Sequence, residues 1–279
     1  MAERARPALF VFVLALALPA LAGGCRGPLA APGPGLGAGI VDLSHPFDAA
    51  TLFWPTEEGF VLEPGFAGRT EGGWFYAAGR FRSAEHGGTH VDAPIHFHEG
   101  GATVEALEMW RLVAPAVVVD VREAVSADPD HAISVADLAR FEAAHGRIPE
   151  RASVLLHTGF GRRWPDRAAY LGTAARGPAG VAELRFPGLS AQAADWLVRE
   201  RRVAAVGIDT ASIDPGRSAT FEAHRVLAAA GVPAFENLAN LERLPATGAT
   251  LVALPMKIAG GTGAPLRAVA LVPGRAASP

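Results

Sequence analysis

This chain is poor in cysteine and lysine, has no marked surplus of charge of either sign, and contains no apolar run of the length a helix needs to cross a membrane. Cys25 is the one cysteine in 279 residues, which excludes an intramolecular disulfide. Lys257 is the one lysine among 25 basic residues, and these are set against 28 acidic residues for a net charge of −3. That balance gives no electrostatic basis for a nucleic-acid partner. The longest apolar stretch, Ala8 to Leu18, falls short of the roughly 20 residues a membrane span requires. What remains is 50% hydrophobic and 19% charged residues, enough for a substantial core in one large domain or two small ones.

The short apolar run has a recognisable frame. Arg4 and Arg6 precede it, and the small residues Ala20, Ala22, Gly23 and Gly24 lead to Cys25. A basic start, a short apolar centre and a small-residue cleavage zone predict a signal peptide over 1–24 and an exported protein. Cys25 directly after small residues resembles a bacterial lipobox, with Leu21 one position further out than the usual pattern. Ordinary cleavage after Ala22 is the competing reading. Lipidation of Cys25 would make the Pro/Gly-rich residues 25–39 a membrane tether, and place the protein in the periplasm or on a membrane.

The folded domain is expected over 40–279. Short β-branched or apolar runs predict strands at 39–43, 74–81, 116–121, 154–157, 203–208, 232–235, 251–254 and 268–272. Helices are expected from Ser134 to His145, with Ser134 and Asp137 as a capping box, from Ser190 to Arg201, and from about Thr220 to Ala230 before Gly231. Residues 51–72, rich in aromatics, Pro and Gly, read as a loop or flap. Strands alternating with helices predict an α/β fold with a mixed sheet, and no internal linker divides it.

The chemistry is concentrated in His86-Gly87-Gly88-Thr89-His90-Val91-Asp92-Ala93-Pro94-Ile95-His96-Phe97-His98, which holds four of the nine histidines. His86, His90 and Asp92 are separated by even numbers. On one extended strand they would share a face and converge. Gly87, Gly88 and Pro94 argue against a helix, and the missing side chains at 87 and 88 would leave space for a metal or substrate. Two imidazoles and a carboxylate leave open positions, the pattern of a catalytic metal site. Nitrogen and oxygen donors suit zinc, manganese or iron(II). The bland alternative, unrelated strand histidines, suits His98, His131 and His145 better than these three.

This segment resembles the cyclase-superfamily signature His-x-Gly-Thr-His-x-Asp-x-Pro-x-His-Phe at every fixed position. Asp42-Leu43-Ser44-His45, His157-Thr158-Gly159, Gly207-Ile208-Asp209-Thr210, Glu236-Asn237-Leu238 and Gly260-Gly261-Thr262-Gly263-Ala264-Pro265 extend the likeness over 40–272. The resemblance implies a swivelling β/β/α single domain, as a homodimer or homotetramer. It implies His86, His90 and Asp92 as ligands of a first metal and His96 as catalytic acid/base. It also implies His224 and Glu236 as ligands, with Asp92 bridging, of a second metal in two-metal members. From the residues alone, His224 reads as a helix-surface histidine and Glu236 as a capping or solvent-facing carboxylate.

The activity so implied is hydrolysis of a C–N bond in an amide. A divalent metal, Mn2+ or Zn2+, as one or two ions, would activate water, and His96 would move the proton. The alternative for His96 is a further ligand or a support to one. Phe53, Trp54 and Trp74 are candidates to line a pocket for a flat aromatic substrate, although ordinary core or interface roles fit them equally. The run around Ser44–Asp48 and Phe53–Thr56 is more similar to isatin hydrolase than to kynurenine formamidase, which points to a cyclic aromatic amide before a formamide. Arg162, Arg163 and Trp164 form a plausible substrate-contacting loop. Asp209 and Asp214 read as turn and capping residues. Two rivals remain at this level: a tethered, non-catalytic metal- or ligand-binding protein, and a lyase using the same site.

Overall fold

The computed structural model describes residues 39–273. The expected signal peptide, Cys25 and the tether up to residue 38 lie outside the described residues, as does the tail from 274. No helix among the described residues is long and apolar enough to cross a membrane.

In chain order the strands are β1 (Gly39–Asp42), β2 (Val61–Arg69), β3 (Phe75–Arg82), β4 (His90–Asp92), β5 (Val113–Asp120), β6 (Ala132–Ile133), β7 (Ser153–His157), β8 (Gly188–Leu189), β9 (Ala205–Ile208), β10 (Ala234–Glu236), β11 (Ala249–Pro255) and β12 (Gly263–Val272). The helices are α1 (Met109–Leu112), α2 (Arg122–Ala127), α3 (Val135–His145), α4 (Arg167–Leu171), α5 (Gly177–Ala182), α6 (Ala191–Trp196) and α7 (Glu222–Ala229). The main sheet runs β1-β12-β11-β5-β7-β9-β10-β4, and β4 pairs with β12 as well. That additional pairing turns seven strands into a barrel-like ring, with β1 added on the outside of β12. β5, β7, β9 and β10 run parallel, and the other pairs are antiparallel. A single α/β domain with a mixed sheet is therefore what the chain forms.

The two-residue period of a strand sorts the core into two parts. Ala116 and Val118 of β5 join Leu155, Ala205, Phe235 and Ala253 in one cluster, on the inner side of the ring. Val117 and Val119 join Val154, Leu156, Val206 and Ile208 in the other, together with Leu138 of α3, Ala193 of α6 and Leu227 of α7. Strands covered on both sides read as continuous apolar runs, which is why β5 and β7 are legible from sequence.

α3 starts where the capping box demands, with Ser134 accepting from the Asp137 amide and Asp137 accepting from the Ser134 amide. α6 is capped by Ser190 and continues as one π-helical turn, Leu197–Arg201. The apolar pattern starts the third predicted helix near Thr220, but α7 begins at Glu222, because Phe221 holds a left-handed backbone at φ 49°. The Asp214 carboxylate takes the Ala223 and His224 amides, at 3.0 Å each. The expected loop at 51–72 contains a strand. β2 pairs with β3 as a hairpin, and a register shift between Pro64 and Ala67 accommodates the proline that conceals the strand in the sequence.

Candidate metal centre and cavity

β4 and β10 lie side by side, with Glu236 opposite His90 and Ala234 opposite Asp92. Val91 and Phe235 belong to the inner cluster, so strand alternation turns His90, Asp92 and Glu236 to the outer face, towards α7. His224, near the start of α7, meets them there. Its Nε2 lies 3.1 Å from Asp92 Oδ2 and 2.9 Å from Glu236 Oε1. His90 Nε2 is 3.2 Å from Asp92 Oδ1 and 3.5 Å from Glu236 Oε2. His86 Nδ1 approaches Asp92 Oδ1 at 2.7 Å, and the His96 ring stacks on that of His86 with centroids 3.8 Å apart. All six residues expected as metal ligands or as the catalytic acid/base thus come together. Donor atoms of five of them form two compact groups, His86–Asp92–His96 and His90–Asp92–Glu236, with Asp92 common to both and His224 in neither.

The route by which His86 arrives differs from the expectation. β4 covers only His90–Asp92, so His86 does not share its strand. A turn with Gly88 at φ 56° swings it back instead. Gly87 lines the cavity, but the room left by the two missing side chains is taken chiefly by phenylalanine. A Cβ on Gly87 would stand 2.0 Å from the Phe53 ring, and one on Gly88 2.4 Å from the Phe47 ring. The space belongs to two phenylalanines that brace the turn.

Asp92 and Glu236 are 6% and 4% exposed, so deep that two carboxylates require compensating cations or protons. Burial alone would raise Asp92, yet the adjacent His86 and hydrogen bonds with His224, His86 and His90 hold it well below the carboxylate range. Burial alone would lower His224, yet Asp214, Asp92 and Glu236 raise it well above an ordinary histidine. His96 is different. Desolvation outweighs the pull of Asp92 and brings its imidazole down to about 4, so it is neutral at pH 7. Imidazole nitrogens and carboxylate oxygens converging on shared space, without thiolate, fit a divalent ion such as zinc or manganese.

Residues beyond the expected set hold these groups in place. Asp214 Oδ2 accepts from His224 Nδ1 at 2.6 Å, leaving Nε2 directed at Asp92 and Glu236. The predicted capping role of Asp214 is correct but incomplete. Asp209, expected to serve its own turn, instead holds the segment after β7, accepting from the Thr158 amide and hydroxyl and the Gly159 amide. Asn237 Nδ2 donates to the Gly88 carbonyl at 2.7 Å, and Thr262 Oγ1 sits 2.9 Å from His86 Nε2 while donating to Glu85. The nine residues between Asp214 and His224 give no pattern by which sequence could pair them.

A cavity of about 470 Å³ opens over the cluster. Phe53, Trp54, Phe97 and Phe221 supply aromatic wall, with Phe97 and Phe221 centroids 5.3 Å apart and Phe97 4.5 Å from the His224 ring. Phe53 and Trp54 therefore stand where expected. Trp74 does not. It lies just before β3, is 64% exposed and lines no part of the cavity, because the hairpin carries it away from the ring despite its nearness in sequence to His86. Arg162, Arg163 and Trp164 are also absent from the lining. The Arg163 guanidinium sits 3.7 Å over the Phe160 ring, and Trp164 stacks on His45 at 4.2 Å.

The Cyclase family model matches residues 41–215. Isatin hydrolase of Roseibium aggregatum is 35% identical over 209 residues, covering 72% of this chain and 77% of its own. Kynurenine formamidase of Salinibacter ruber is 31% identical over 235 residues, 82% of this chain and 96% of its own. Among solved structures, isatin hydrolase A from Ralstonia solanacearum superposes with a TM-score of 0.74 at 32% identity, covering 85% of this chain and 92% of that one.

Proposed function

The chain belongs to the cyclase family, and from that premise we propose that it is a metal-dependent hydrolase that opens a cyclic aromatic amide. The observation that carries this reading is an aromatic-walled cavity set directly over a buried cluster of imidazoles and carboxylates, with one neutral imidazole, His96, beside it. His86, His90, Asp92, His224 and Glu236 would hold the metal, as one or two ions of manganese or zinc. Such an ion supplies Lewis acidity and lowers the pKa of water from 15.7 to about 7.

The chain's own residues do the rest. Phe53, Trp54, Phe97 and Phe221 receive the flat ring and exclude bulk water. His96 accepts the proton of the attacking water and returns it to the nitrogen as the C–N bond breaks. Asp214 keeps His224 in the tautomer that presents Nε2 to the cluster. The arylformamidase reading is supported by the Salinibacter kynurenine formamidase. We further propose a homodimer, supported by the uncovered apolar hairpin, and an exported, Cys25-lipidated protein, supported by the pattern of residues 1–25.

The test is isatin ring opening by the manganese-loaded protein from Pro28 onward, followed by absorbance. A kcat/KM on the order of 10⁴ M⁻¹s⁻¹ or more is expected, lost on chelation. His96→Ala should keep its metal and lose roughly 10²–10⁴ in turnover. No opening by metal-bearing protein would sink the isatin reading, and loss of metal in His96→Ala would make His96 a ligand.

A further inference from the structure

Among the residues lining the cavity, no arginine or lysine occurs. Apart from the metal-ligating cluster and His96, its charged lining consists of two carboxylates, Glu57 and Glu85. Glu85 is engaged by the Thr262 amide and hydroxyl. Glu57 is exposed, and a turn closed by its amide on the Trp54 carbonyl, at 3.0 Å, sets it beside the aromatic wall. Its neighbour Glu58 is paired with Arg82, but no ion pair engages Glu57 among the described residues. The nearby arginines do not line the cavity. Arg163 covers Phe160, and Arg167 spends Nη1 on the Phe53 carbonyl at 3.4 Å without lining the cavity.

Resting on the hydrolase reading above, we infer that this site selects substrates carrying no negative charge beyond the reacting amide, and that Glu57 is the residue that sets the selection. A metal at the cluster would be engaged by the scissile carbonyl, so a second anion on the ligand would have to be met by protein groups. In this cavity it would lose hydration against phenyl and indole surface and, outside the metal cluster, find no cationic side chain and two carboxylates, Glu57 and Glu85. A neutral ring avoids both costs, and a ring bearing an ammonium group gains from Glu57. The reaction itself then turns a favoured ligand into a disfavoured one. Water oxygen joins the carbonyl carbon, the C–N bond breaks, the nitrogen takes one of the water protons, the other is released to solvent, and a carboxylate appears where none existed.

The experiment uses the full chain, metal-loaded, with isatin, a ring-carboxylated isatin and a ring-aminomethylated isatin. Ring opening and calorimetric binding of the matching unreactive benzamides are both recorded, for wild type, Glu57→Gln and Glu57→Lys. The carboxylated probe is expected to be the poorest. Its kcat/KM and affinity should rise about threefold in Glu57→Gln and about tenfold in Glu57→Lys, with both gains fading as salt approaches 1 M. The aminomethyl probe should move the opposite way. A carboxylated probe that equals or beats the neutral one, or that ignores both substitutions, overturns the inference. If no isatin is opened, the isatin reading fails, while the benzamide affinities still decide the charge selection.

Discussion

At the scale of single residues, the centre is a set of candidate ligands held by other side chains, and Asp214 is the clearest case. It takes both the His224 imidazole and the His224 amide, fixing ring and helix start together. Asp214→Ala is expected to weaken metal binding about 10–100-fold while leaving the fold intact. Titration of the metal-free variant with manganese, followed by calorimetry, checks this, and an unchanged affinity would reduce Asp214 to a helix cap. The same scale explains what sequence reveals. His86, His90, Asp92 and His96 sit within one eleven-residue stretch, so local spacing exposes them. His224 and Glu236 depend on the fold to reach Asp92, and only the family resemblance marks them in the sequence. Trp74 misleads because nearness along the chain is not nearness in space.

At the scale of elements, start signals made of short-range chemistry are legible and those made of long-range contacts are not. Ser134 and Asp137 announce α3 because both halves of the capping box lie within one turn. The start of α7 is set by Asp214, eight residues upstream, and is read two residues early. β4 is the other failure. Even spacing suggested one strand, but Gly88 ends it by turning left-handed. The α3 cap also carries a pH signature. Burial opposes ionisation of Asp137, but hydrogen bonds from the Ser134 amide and hydroxyl, His131 and Arg140 prevail and hold it at about 2. An unfolded aspartate titrates near 3.9, so this stabilisation is complete above about pH 4 and is lost as pH falls through 2. Asp137→Asn should cost about 1 kcal/mol at neutral pH and flatten the acid limb, read from urea midpoints across pH. An acid limb as steep as that of wild type would remove Asp137 from the account.

At the scale of the whole molecule, the β2–β3 hairpin is the part that the chain does not explain by itself. Its strands are exposed almost throughout and contribute to neither core cluster, yet they carry Leu62, Phe66, Phe75, Tyr76 and Phe81, with Trp74 in the connection between them. A lone two-stranded hairpin is marginal in water, and an apolar surface of this extent marks a contact site. The expected outcome is a dimer in sedimentation equilibrium, with Trp74→Ser and Phe75→Ser together shifting it towards monomer. A wild-type monomer at micromolar concentration would show that the hairpin is not the dimer contact.

β4 has only three residues, yet it joins β10 on one side and β12 on the other. Two of the three, His90 and Asp92, are candidate ligands. So short a seam contributes few ladder bonds of its own, and what grips its side chains therefore also decides whether the ring stays shut. Mass action then ties the two events together. Each increment of ion occupancy adds to the free energy of unfolding by RT ln(1 + [L]/Kd), so scarcity of metal would be felt as a loosened barrel as well as a silent catalyst.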